Sequence, residues 1–177
     1  FRHLVRQHAP MVLSTALRRL AGDRAAAEDV TQEVFALLAR KAGSLGGVVL
    51  AGWLYRQTCR RASNFVRTET RRKQRETTAM EQSSLSHHHE SPDDLAGELD
   101  TAMEALPAKD RDALVIRYFE SADYSTVGRA LGISEEAARK QVNRALEKLS
   151  AIFKRKGIAV ASVSLGGTLS GFGAVPV

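Results

Sequence analysis

The sequence predicts an all-α protein of two small helical domains joined by a flexible linker, the second carrying a helix-turn-helix. Three observations predict it. Apolar residues recur at helical spacing along most of the chain, with no sustained strand alternation. A polar segment without apolar periodicity, residues 77–92 (TTAMEQSSLSHHHESP), interrupts that pattern. The charge also changes sign in blocks: residues 53–76 carry +6, residues 90–112 carry −6 and residues 134–156 carry +4.

The 177 residues hold 26 Lys+Arg against 20 Asp+Glu, so the net charge is +6 and the pI is near 9.8. Such a balance favours an acidic partner, most simply nucleic acid. The single cysteine, Cys59, cannot form an internal disulfide or a paired-thiolate zinc site, which points to a reducing, cytoplasmic setting. No nucleophile–base constellation, glycine-rich phosphate loop or metal-ligand spacing is present in the sequence, so no catalysis, cofactor or metal is expected. The run His87, His88 and His89 reads as solvated linker, and His3 and His8 read as surface side chains. The sequence opens on Phe1 with no leader pattern and reads as a fragment.

In order along the chain, residues 24–41 place Val30, Val34, Leu37 and Leu38 on one face of a helix. Four glycines make residues 43–52 a loop. A second helix follows, its inner face written by Leu54, Thr58, Ala62 and Phe65. On that helix Arg56, Arg60, Asn64, Arg67 and Arg71 share one stripe at about 100° per residue, and Arg61 adds to its charge. Trp53, Tyr55 and Phe65 interleave with the cations, a combination suited to opened single-stranded DNA, where arginines follow phosphates and rings stack on bases. The plain alternative is a solvated face around a core tryptophan.

Beyond the linker, residues 102–106 are apolar-periodic, Pro107 suits a helix start, and Leu114, Val115 and Tyr118 continue an inner face. Val127, Ala130 and Leu131 form a short helix ended by Gly132, and Ser134 is a natural N-cap for the next. In that last helix Ala138, Val142, Ala145, Leu146 and Leu149 make one apolar stripe. Lys140, Asn143 and Arg144 are left outward and Arg139 on the flank, the pattern of a DNA-reading helix. Arg and Lys can donate to guanine or phosphate, while Asn143 and Gln141 suit adenine. Residues 158–177 are uncharged and long enough to span a bilayer, but four glycines, three serines and a proline dilute them. A flexible or partner-binding extension is the favoured reading, with membrane contact left open.

With these residues in place, the sequence resembles the bacterial RNA polymerase sigma factors of the extracytoplasmic-function group, which keep regions 2 and 4. The resemblance rests on GDRAAAEDVTQEVFALLAR (22–40), GWLYR (52–56), ALPAKDRDALVIRYFE (105–120) and YSTVGRALGISEEAARKQVNRALEKL (124–149). It implies domains at 1–76 and 93–157, the linker at 77–92 and a tail at 158–177. It implies that Asp29, Gln32, Glu33 and Phe35 dock on the clamp of the polymerase core. By the same resemblance Trp53, Tyr55, Arg56, Arg60, Arg61, Asn64, Arg67 and Arg71 contact the opened minus-ten element, where a base is flipped into a pocket. Arg139, Lys140, Gln141, Asn143 and Arg144 then enter the groove of the minus-thirty-five element. Core polymerase and promoter DNA are the implied partners, and an anti-sigma factor is a further one the resemblance allows. Seven residues after Trp53 stands Arg60, where many members carry Asn, so base preference there is not transferable. The rival reading is a stand-alone helix-turn-helix regulator binding duplex DNA without polymerase. The acidic block 90–112 adds the expectation that it shields one or both basic helices in the free protein.

Overall fold

A computed structural model describes residues 1–79, 94–158 and 162–173, with side chains at 1–75, 98–158 and 164–172. Among the described residues every regular element is helical: α1 (Arg2–Arg19), α2 (Arg24–Lys41), α3 (Leu50–Ala79), α4 (Asp94–Glu104), α5 (Ala108–Leu114), α6 (Tyr124–Leu131), α7 (Glu135–Arg155) and α8 (Ser162–Gly173). A short 3₁₀ turn (Ala42–Ser44) follows α2, and α5 continues into a π-type turn (Val115–Phe119). Most of the segment expected as linker, with His87, His88 and His89, lies outside the described residues.

The first three helices form one module. Asp23 caps α2 by accepting from the Ala26 amide at 3.0 Å, and Ala26, Ala27, Val30, Val34, Phe35 and Leu38 turn inward. Helix α1 was not predicted, because the buried polar residues His8, Ser14 and Thr15 interrupt its inner face of Met11, Val12 and Ala16. Helix α3 starts inside the expected glycine loop and buries Leu54, Tyr55, Thr58, Cys59 and Ala62. Burial pushes the Cys59 thiol far up, which leaves it inert at neutral pH.

The second module builds on α7, whose stripe Ala138, Val142, Ala145, Leu146 and Leu149 is buried together with Phe153. Leu114 and Tyr118 lie in the same interior. Arg111 closes the α4–α5 corner by donating Nη1 to the carbonyls of Glu104 and Leu106, both at 3.3 Å. The two modules pack on each other: α4 against both α1 and α7, α5 and its π-type turn against α3. The uncharged tail does not trail free over 162–173, where α8 sinks Leu165 and Leu169 against α7, the π-type turn and α1. No described helix is long and apolar enough to cross a membrane.

Candidate nucleic-acid interface

The helix-turn-helix is set by two glycines and two caps. Asp123 accepts from the Thr126 amide at 2.7 Å to start α6, and that bond holds its carboxyl below the usual range. Gly132 ends α6 at φ +69°, a conformation that Cβ disfavours. Gly128 lets the turn fold back, since a Cβ there would lie 2.7 Å from the Ile133 carbonyl oxygen. Ser134 then accepts from the Ala137 amide at 3.2 Å, and α7 begins.

Arg139, Lys140, Asn143 and Arg144 are exposed on α7. Lys140 pairs with Glu136 at 2.7 Å and Arg139 reaches Glu135 at 3.9 Å while lying over the Tyr124 ring, 4.9 Å from its centre. Exposed pairs at this spacing contribute only a few tenths of a kcal/mol, so phosphate can replace them. Gln141 differs from expectation. It is half-buried and donates to Asp110 at 2.5 Å, next to the Lys148–Asp110 pair at 2.6 Å, so its amide is turned into the module.

On α3, Arg60, Asn64, Arg67 and Arg71 are exposed along the expected stripe. Trp53, 9% exposed, forms an edge of a hollow of about 370 Å³ that Leu37, Lys41, Gln57, Arg60 and Asn64 also line. The Trp53 ring together with two amides and the cations Lys41, Arg60 and Arg61 has the chemistry to hold an unstacked base and its phosphate. Tyr55 is a correction to the expected aromatic set. It is fully buried, its hydroxyl donates to Asp100 at 2.7 Å, and burial, helped by that carboxylate, pushes its pKa well up. No base can stack on it in this arrangement. Arg61 ion-pairs with Glu33, and Arg56 is drawn away from the stripe to Asp112 at 3.2 Å.

On α2, Asp29, Gln32 and Glu33 are exposed on one face, at the spacing of neighbours on a helix. Phe35, on the flank of that face, is turned into the core at 7% exposed, so it supports the face rather than forming part of its surface.

A polar seam lies between the modules, and its individual partners were not legible although the acidic block was expected to lie on the basic helices. Asp100, with no exposed surface, accepts from Arg18 Nη2 at 3.0 Å as well as from Tyr55. Arg19 bridges Ser63 and Glu104 at 2.9 and 2.7 Å. His8 is buried rather than at the surface and pairs with Glu120. The signal was present in the acidic block, whose members Asp100, Glu104 and Asp112 meet Arg18, Arg19 and Arg56 of the first module.

Two family models match the chain, Sigma-70 region 2 over residues 4–72 and Sigma-70 region 4 over residues 102–151. The chain belongs to the sigma-70 family. Within that family it is 30% identical to the ECF RNA polymerase sigma factor SigE of Mycolicibacterium smegmatis over 153 residues, 82% of this chain and 58% of that relative. The chain therefore spans little more than half the length of that relative. A solved structure, the sigma factor RpoE in complex with the anti-sigma factor NepR from Bartonella quintana, is 21% identical over 87% of this chain and 96% of that one, with a TM-score of 0.41. The region 2 match takes in α1, α2 and most of α3, and the region 4 match runs from the end of α4 through most of α7. Helix α8 lies beyond both.

Proposed function

We propose that the chain is a promoter-specificity subunit, not itself an enzyme, that works in the cytoplasm by bringing RNA polymerase core to chosen promoters and helping to open them. The observation that carries this reading is the coexistence, in a chain with both sigma-70 regions, of two exposed cationic faces of different shape. Arg60, Asn64, Arg67 and Arg71 run beside the Trp53 hollow, which suits an opened strand with one base withdrawn. Arg139, Lys140, Asn143 and Arg144 project from the second helix of a helix-turn-helix, which suits a major groove. The acidic and amide face Asp29, Gln32 and Glu33 is the proposed contact with the polymerase clamp. A stand-alone regulator has no use for that face or for the hollow beside Trp53.

The test is co-purification with core polymerase followed by transcription from a supercoiled genomic library. Association and promoter-selective transcripts are expected. A folded chain that fails to associate with core refutes the proposal.

A further inference from the structure

We infer that α8 is a latch that holds the two DNA-reading modules closed on each other, so that the chain must release it before both promoter elements can be read. Helix α8 lies outside both family-matched segments, yet it is seated on both modules at once. Leu165 and Leu169, 1% and 0% exposed, fill the groove between α7, the π-type turn and α1. The Phe172 carbonyl accepts from Arg18 Nη1 at 2.7 Å, and the Phe172 ring lies 5.4 Å from the same guanidinium. Arg18 is the side chain that reaches across to Asp100, so α8 caps the buried ion pair of the seam. Gly166 fits this seat because a Cβ there would stand 3.1 Å from the Tyr118 hydroxyl.

The size of the closed form gives the latch its consequence, on the reading proposed above. Two elements centred about 25 base pairs apart are separated by about 85 Å along the duplex at about 3.4 Å per pair. A compact chain of this length has a radius of gyration of about 16 Å and a diameter near 40 Å. The closed form cannot reach both elements. It also keeps Arg56, the first cation of the strand-facing stripe, on Asp112. Promoter binding by the free chain is then reduced in proportion to the fraction that is open.

The test uses the full chain carrying Leu169→Asp, which places a charge in the groove, and Ser170→Asp, which places the same charge on the exposed side of α8. X-ray scattering reads the radius of gyration, and titration with a promoter oligonucleotide duplex that carries both elements, its minus-ten region held unpaired, reads at matched salt how well one chain reaches both. Leu169→Asp is expected to expand the chain beyond about 16 Å and to tighten oligonucleotide binding by about fivefold or more. Ser170→Asp should change neither. A Leu169→Asp protein with full helical circular dichroism and unchanged dimensions overturns the latch. If Leu169→Asp does not fold, Phe172→Ala decides by the same readouts, a smaller expansion supporting the latch and none overturning it. Expansion without oligonucleotide binding in any variant upholds the latch and refutes the promoter reading instead.

Discussion

Gly52→Ala should open the seam between the modules while strengthening the helix that carries it. A Cβ on Gly52 would lie 1.9 Å from Asp112 Oδ1 and 2.3 Å from its Cγ, far inside any tolerated contact. Either the carboxylate swings away or α5 withdraws from α3, and in both cases the 3.2 Å bond to Arg56 is lost. Overpacking of this kind costs about 1–3 kcal/mol. The ion pair adds at most about 1 kcal/mol, because Arg56 keeps 31% of its side chain exposed and solvent screens it. Within α3 itself, alanine in place of glycine contributes about 0.5–1 kcal/mol in favour of the helix. The seam should therefore weaken by about 1–4 kcal/mol, offset in overall stability only by the smaller gain within α3, so urea unfolding followed by Trp53 fluorescence should show a net loss. Scattering gives the seam's state, and a double-mutant cycle with Asp112→Ala isolates the clash. Gly52→Ala should add little to a chain whose Asp112 is already truncated. If it expands the Asp112→Ala protein as much as the parent, the steric account is wrong.

Other outcomes follow from the same geometry. Arg144→Ala should weaken minus-thirty-five duplex binding by about 1–3 kcal/mol if its guanidinium meets a base edge. Equal losses on promoter and scrambled duplexes would assign it to phosphate. Gly128→Ala drives a Cβ against the backbone oxygen of Ile133, which cannot rotate away, so a thermal melt should show a net loss of about 1–2 kcal/mol and duplex binding should fall. Asp112→Asn probes pH. Burial holds the Asp112 carboxyl above its ordinary value, more than Arg56 and Arg111 lower it. A raised acid binds its proton more tightly in the closed form, so closure gains as pH falls through the raised value and is weaker at neutral pH. The difference in radius of gyration between parent and Asp112→Asn should thus shrink from pH 7 toward pH 4.5, and an unchanged difference would refute the assignment.

The helices legible in the sequence are those whose inner faces are mainly apolar. Residues 24–41 and the stripe from Ala138 to Leu149 repeat at helical spacing, and the cap Ser134 marks the start of the second. Helix α1 was hidden because its inner face includes His8, Ser14 and Thr15, polar residues whose partners come from elsewhere in the fold or from their own helix. The same blindness misplaced Tyr55 and Gln141. Each has the right chemistry for DNA, and each is claimed by an acidic residue distant in sequence, Asp100 and Asp110. Periodicity fixes which face a side chain occupies but not what lies opposite. Arg60, Asn64, Arg67 and Arg71 were readable because, among the described residues, that face of α3 stays exposed. The alternating charge blocks came nearest to showing the seam, since a run of acids between two basic helices has an electrostatic reason to fold onto them.

The π-type turn at Val115–Phe119 is wound wider than an α-helix, and it buries Tyr118 toward α8 and Phe119 toward the first module. Phe119, encoded in the second half of the chain, packs 5.6 Å from the Tyr55 ring and beneath the Arg18 guanidinium at 5.0 Å. The closed chain therefore has one interior held in common by two regions that are separate in sequence. Neither region can melt while the other stays native, so heat should take the closed protein through one cooperative transition and the released protein through two. The number of calorimetric peaks then becomes a direct count of how many folding units the molecule is using at that moment.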